Sequence, residues 1–188
     1  MQKIYISGEI SPSTVENARS LIDGFDRTLP LLVEINSDGG SVADGITIFN
    51  MLRAWPGGIG MEVVGWCLSI ASVILQAGAT RRAHETALVM VHAPWTHTTG
   101  NSTALRQSAT LLDQVGETLL VAYRRTGKPD TTITQWLDGT DHWFTAAEAL
   151  AAGLIDEVIT DSATQPIAPA NAKASRHPVP PFSHKGSS

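Results

Sequence analysis

Ser69, His92 and a later aspartate are the side chains through which this chain could do covalent chemistry. Ser69 lies in residues 65–79, Gly-Trp-Cys-Leu-Ser-Ile-Ala-Ser-Val-Ile-Leu-Gln-Ala-Gly-Ala. The alternating, β-branched run before it reads as a strand, and the small and aliphatic residues after it recur at helical spacing. The stretch therefore predicts strand, tight turn and buried helix, with Ser69 in the first helical turn. A hydroxyl there meets backbone N–H groups without intrahelical partners and the positive end of the helix dipole, both suited to a developing negative charge. An ordinary N-cap serine explains the same position.

Two further signals bear on that choice. His92 follows the strand predicted over 86–91, and Ala93-Pro94 forces the chain to turn there. A histidine at a strand end can serve as a general base or as a structural hydrogen-bonding residue. Residues 37–41, Ser-Asp-Gly-Gly-Ser, separate a strand over 31–36 from a helix over 42–55. Paired glycines allow positive φ and close backbone approach, so the Gly40 N–H could face a substrate carbonyl or its oxyanion; an ordinary turn is the other reading. No lysine follows as a phosphate loop requires. A serine at a helix start, a histidine at the next strand end, a later aspartate and a donor-bearing glycine turn make up the parts of an acyl-transfer hydrolase, here in the order Ser, His, Asp.

The elements that must position these groups alternate. A strand over 3–7 closes at Gly8, and Ser11-Pro12 caps an amphipathic helix to about residue 25. The strands over 31–36 and 61–65 follow, then a break at 79–81. Strand and helix alternation of this kind predicts parallel strands with crossover helices, with function gathered at strand ends. Residues 101–126 read as one long helix stopped by Gly127, whose apolar face, extending past the body, needs cover from a partner subunit. Asp130 caps a short helix to Leu137, Thr145 and Glu148 form a capping box for a helix ending at Gly153, and residues 154–159 close the domain as a strand.

Composition bounds the rest. The 188 residues suffice for one domain, over 1–160, and the net charge of −5 argues against nucleic-acid binding. The single cysteine, Cys67, forms no intrachain disulfide and reads as a small core residue. No histidine pair stands at metal-ligand spacing with a carboxylate or thiol nearby, so no metal is expected. No apolar run suits a signal peptide or a membrane span, which makes a cytoplasmic protein the expectation. Residues 161–188, rich in proline, alanine and serine, read as a disordered tail.

Four motifs in order resemble the ClpP-like serine peptidases, the Clp protease proteolytic subunit family. They are Ile35-Asn36-Ser37-Asp38-Gly39-Gly40-Ser41, residues 65–79, Met90-Val91-His92-Ala93-Pro94, and Asp141 with Phe144-Thr145-Ala146, Glu148-Ala149 and Gly153-Leu154-Ile155-Asp156. Ser69-Ile70-Ala71-Ser72 and His92-Ala93-Pro94-Trp95 are most similar to the members encoded by tailed phages, which act as head-maturation (prohead) proteases. The resemblance implies an α/β fold of the ClpP/crotonase type, a spiral of ββα units with a protruding handle helix, the segment 101–126. It implies Ser69 as nucleophile, His92 as general base and Asp141 as the group orienting the imidazole, with Gly40 and Ile70 N–H groups as the oxyanion hole. It implies protein substrates, capsid or scaffold proteins among them, and homo-oligomeric rings, heptameric or doubled.

Departures from the family pattern accompany the match. Asp38 replaces the usual proline of the glycine turn, and Trp66, Cys67 and Leu68 replace a polar residue and two alanines before the serine. Met1 stands almost at the first strand, where ATP-dependent members carry a pore-loop segment, which argues against an ATPase partner. The alternatives to the head-maturation reading are an ATP-dependent Clp proteolytic subunit in general degradation, a crotonase-like acyl-CoA enzyme, and a catalytically silent scaffold component.

Overall fold

A computed structural model describes residues 2–160; the expected tail over 161–188 lies outside the described residues. The chain begins β1 (Gln2–Ile10), α1 (Pro12–Asp23), β2 (Leu31–Gly40), α2 (Val42–Arg53), β3 (Ile59–Leu68), α3 (Ile70–Leu75). β4 (Thr80–His84), β5 (Leu88–Val91), α4 (Ser102–Tyr123), α5 (Asp130–Trp136), β6 (His142–Thr145), α6 (Ala146–Ala151) and β7 (Glu157–Ile159) follow. A 3-10 turn, Arg124–Thr126, extends α4. The main sheet is parallel, in the order β1-β2-β3-β4-β7. This is the α/β architecture with crossover helices that strand and helix alternation predicts.

The sheet forks at β3. Its first half, Gly60 to Val63, pairs with β4, whereas Trp66 to Leu68 pairs with β5. Between the halves the register against β2 jumps from Ile35↔Val63 to Ser37↔Cys67, so β3 carries two extra residues there. The Asn36 side chain fills the bulge, accepting from the Trp66 N–H at 3.0 Å. Beyond the fork, β5 pairs antiparallel with β6.

The centre of the sheet is covered on both faces, so β2 reads as an almost unbroken buried run, Leu31-Leu32-Val33-Glu34-Ile35. Its core partners include Ile4, Ile6, Val63, Ile48, Leu52 and Ile74. Burying each such side chain contributes about 1.5–3 kcal/mol. α4 is different. None of residues 102–118 is buried; Val115 packs half-buried against the core, and the fully buried positions are Leu119, Ala122 and Tyr123. At a rise of about 1.5 Å per residue, most of this 22-residue helix stands clear of the body with Leu105, Leu111 and Val121 exposed.

Several local readings differ from the structure. β1 runs past Gly8 to Ile10, and the glycine turn is part of β2, because Glu9 and Ile10 pair with Gly39 and Gly40. β3 continues to Leu68, so Ser69 precedes α3 instead of lying in its first turn. The segment read as a break after Ala79 is β4, held between β3 and β7 by backbone pairing that leaves no mark on side-chain pattern. The closing strand spans only Glu157–Ile159, with Leu154 and Ile155 buried ahead of it.

Candidate active site

Ser69 has φ 54° and ψ −128°, the only positive φ at a non-glycine among the described residues. Such a conformation costs on the order of 1–3 kcal/mol and persists only where surroundings over-determine it. Here the Ser69 N–H donates to the Met90 carbonyl at 3.0 Å, and the Ser69 carbonyl accepts from Ser72 N at 3.0 Å and Ser72 Oγ at 2.6 Å. Gly39 closes over the other side. A Cβ at that position would lie 2.7 Å from Ser69 Cβ and 2.9 Å from the Leu68 carbonyl oxygen.

Strand register brings the other two groups in. β5 lies beside the second half of β3, which carries His92, the residue after Val91, to Ser69. The Ser69 hydroxyl is 2.7 Å from His92 Nε2. In the antiparallel ladder Val91 faces His142, so the next pair outward is His92 and Asp141. His92 Nδ1 is 3.1 Å from Asp141 Oδ1. The imidazole is mostly enclosed, whereas the Asp141 side chain is 56% exposed. The carboxylate accepts from Nδ1–H, which fixes the tautomer and leaves the Nε2 lone pair for the serine proton.

The turn before Asp141 is tied by Asp138. Its Oδ1 accepts from Thr140 Oγ1 at 2.7 Å, Thr140 N at 2.9 Å and His142 Nε2 at 3.0 Å. These bonds, those from Thr140 foremost, hold the Asp138 carboxyl down to about 2. His142 is thus bound into the turn; His97 is exposed and packs edge-on against Trp95.

Gly40 and Ile70 line the same cleft as Ser69 and His92, a space of about 340 Å³ walled by Val42, Met90, Leu119 and Tyr123. The Gly39 N–H is taken by Ser37 Oγ at 3.1 Å, and the Ser41 N–H by the Ile10 carbonyl at 2.8 Å. Gly40 lies between these two residues and itself lines the cleft. Gly40 has φ 144°, and a Cβ there would meet the Ile10 oxygen at 2.3 Å, so no other residue fits. Ile70 opens α3, where an amide has no intrahelical acceptor. Cys67 is fully buried, and burial pushes its thiol well above the usual range, which makes it no second nucleophile.

Ser72 and Tyr123 belong to this site and were not singled out by residue type or spacing. Ser72 is one of several small residues in a helix, and Tyr123 lies 51 positions away at the far end of α4. The helical period that puts Ser72 one turn after Ser69 is the one signal that could have found it.

The model of the Clp protease family matches residues 2–162. Among similar proteins, the ATP-dependent Clp protease proteolytic subunit 2 of Thermobifida fusca is 33% identical over 145 residues, covering 76% of this chain and 71% of that protein. The ATP-dependent Clp protease proteolytic subunit 3 of Streptomyces coelicolor is 29% identical over 166 residues, covering 84% and 76%. Subunit 2 of Tropheryma whipplei is 30% identical over 145 residues, covering 75% and 79%. A match along nearly all of the described residues, on a chain whose fold is the expected parallel α/β sheet, makes this protein a member of the Clp protease family, the ClpP-like serine endopeptidases.

Proposed function

We propose that the chain cleaves protein substrates through an acyl-enzyme on Ser69, with His92 and Asp141 completing the catalytic set. The observation that carries this reading is the continuous contact from Ser69 Oγ to His92 Nε2 to Asp141 Oδ1. Ser69 Oγ attacks the scissile carbonyl carbon as its proton passes to His92 Nε2. The oxyanion takes hydrogen bonds from the Gly40 and Ile70 N–H groups, each typically worth about 3 kcal/mol. Breakage of the C–N bond follows, with His92 returning the proton to the leaving amine. Water then attacks the acyl carbon, again giving its proton to His92, and the acid product departs as Ser69 regains its hydroxyl. No step calls for a cofactor.

The exposed apolar positions of α4 support assembly into homo-oligomeric rings, singly or in face-to-face pairs. Motif resemblance at residues 69–72 and 92–95 supports a head-maturation role, with capsid or scaffold proteins as substrates in a host cytoplasm. The names of the relatives favour a second reading, in which an ATPase feeds general protein substrates.

Ser69→Ala tests the mechanism: peptide cleavage and labelling by a fluorophosphonate probe should vanish, with oligomer size unchanged. Undiminished cleavage by that variant refutes the assignment. Cleavage of a capsid or scaffold protein without ATP, with casein spared, supports the head-maturation role; degradation of casein only with an added unfoldase and ATP supports the second.

A further inference from the structure

The carbonyl side of the Ser69 peptide is held by hydroxyls that the reaction above does not use. Ser72 Oγ donates to the Ser69 carbonyl at 2.6 Å and lies 2.7 Å from the Tyr123 hydroxyl. A serine hydroxyl has a single proton. With that proton on the Ser69 carbonyl, Tyr123 must be the donor in the second bond, so the relay runs from the Tyr123 O–H to Ser72 Oγ and on to the Ser69 oxygen. Ser72 is 0% and Tyr123 1% exposed, so water does not compete for either hydroxyl. Burial also pushes the Tyr123 phenol above its usual range, which keeps the donor proton in place.

Peptide planarity gives the relay its consequence. The Ser69 carbonyl and the Ile70 N–H belong to one planar trans unit and point in opposite directions, so anchoring the oxygen aims the N–H. Bonds accepted at the carbonyl also polarise the amide and strengthen its N–H as a donor. Tyr123 is itself fixed. Its ring meets Trp136 edge-on at 6.5 Å, and Trp136 meets Phe144 at 5.7 Å, on the strand that directly follows Asp141.

We propose that Tyr123 and Ser72 are positioning residues, acting in series to hold the Ser69–Ile70 peptide so that the Ile70 N–H meets the oxyanion. The inference rests on the reading of Ser69 as nucleophile and Ile70 as oxyanion donor. Its test uses the full chain, a fluorogenic peptide with an apolar residue before the scissile bond, and a peptide boronate of the same sequence, which forms a tetrahedral adduct on the serine.

Tyr123→Phe keeps the ring and removes only the donor; kcat should fall about tenfold, part of what loss of a whole oxyanion donor costs. KM should stay within about twofold, as for an interaction made only in the transition state. Boronate affinity should fall by the same factor as kcat. Ser72→Ala should lose at least as much, and the double variant should be no worse than Ser72→Ala alone, because groups acting in series do not add. A Tyr123→Phe kcat within about twofold of the parent, a loss falling on KM, or losses that multiply in the double variant would overturn the proposal. Should Ser72→Ala fail to fold, Tyr123→Phe decides alone. Cleavage retained by Ser69→Ala would sink the nucleophile reading instead, so the two failures are separable.

Discussion

Both ends of α3 carry a hydrogen-bonded network that terminates on an aspartate, and the two are built to opposite ends. At its N-terminal end stand Ser69, His92 and Asp141; at its C-terminal end stand Gln76, Arg81 and Asp156. Arg81 donates to Asp156 through Nε at 3.1 Å and Nη2 at 2.5 Å, and its backbone N–H reaches the same carboxylate at 2.7 Å. Its Nη1 serves Gln76 Oε1 and the Arg125 carbonyl, while Gln76 Nε2 donates to the Leu154 carbonyl at 3.2 Å. Gln76 is 0% exposed, and the polar valences around it are answered by protein.

The N-terminal network is left open. Its serine is strained, its aspartate faces water, and Gly40 and Ile70 line a cleft. A closed network of this sort secures the helix to β4 and the segment before β7; an open one leaves its hydroxyl and imidazole reachable from the cleft, as the proposed function requires. Strain at Ser69 is tolerable because the Met90 carbonyl, Ser72 and the close approach of Gly39 hold it locally.

If the contrast is right, changes at the open end should cost turnover and changes at the closed end should cost stability. Asp141→Asn should lower kcat about 10⁴-fold with melting temperature nearly unchanged, because an amide can no longer hold the reactive imidazole tautomer. A large drop in melting temperature instead would move Asp141 into the structural class. Arg81→Met should cost about 3 kcal/mol of stability by stranding Gln76 and Asp156, read by chemical denaturation. The kcat of its folded fraction should stay within about twofold of the parent, and a larger loss would break the separation between the two ends.

The smallest effect is a pH dependence at the closed end. Partial burial pushes the Asp156 carboxyl upward, but the hydrogen bonds from Arg81 outweigh it and hold the group below its usual value. A folded-state value below the unfolded one contributes stability that is present above about pH 4 and is lost as pH falls through the folded value. The stability gap between Asp156→Asn and the parent should therefore be full near neutrality and close in acid. A gap independent of pH would remove the charge from the account.

The legible parts of the chain were those where a side-chain signal coincides with a backbone event. Ser11-Pro12 announces α1, with Ser11 at the N-cap, and Thr145 with Glu148 forms the capping box at the start of α6. Alternation with β-branched residues announces β3 and β5. β4 was missed because Thr-Arg-Arg-Ala-His alternates too briefly to stand out, and its pairing with β3 and β7 is what makes it a strand. The glycine segment was read as a turn because Gly39 and Gly40 break strands in general; here β1 supplies the partner that keeps them in the sheet despite their positive φ.

By itself the sequence determined the alternation of strands and helices, a net charge of −5 that argues against nucleic-acid binding, and the order of serine, histidine and aspartate within motifs that resemble one family. These are properties of residue type and near-neighbour spacing. The tertiary structure alone decided that His92 falls opposite Asp141, that Ser69 is left-handed under Gly39, and that Tyr123 reaches Ser72 from the end of α4. Each of these depends on register between strands or on packing between elements far apart in the chain, and no local pattern of residues encodes a distance of that kind.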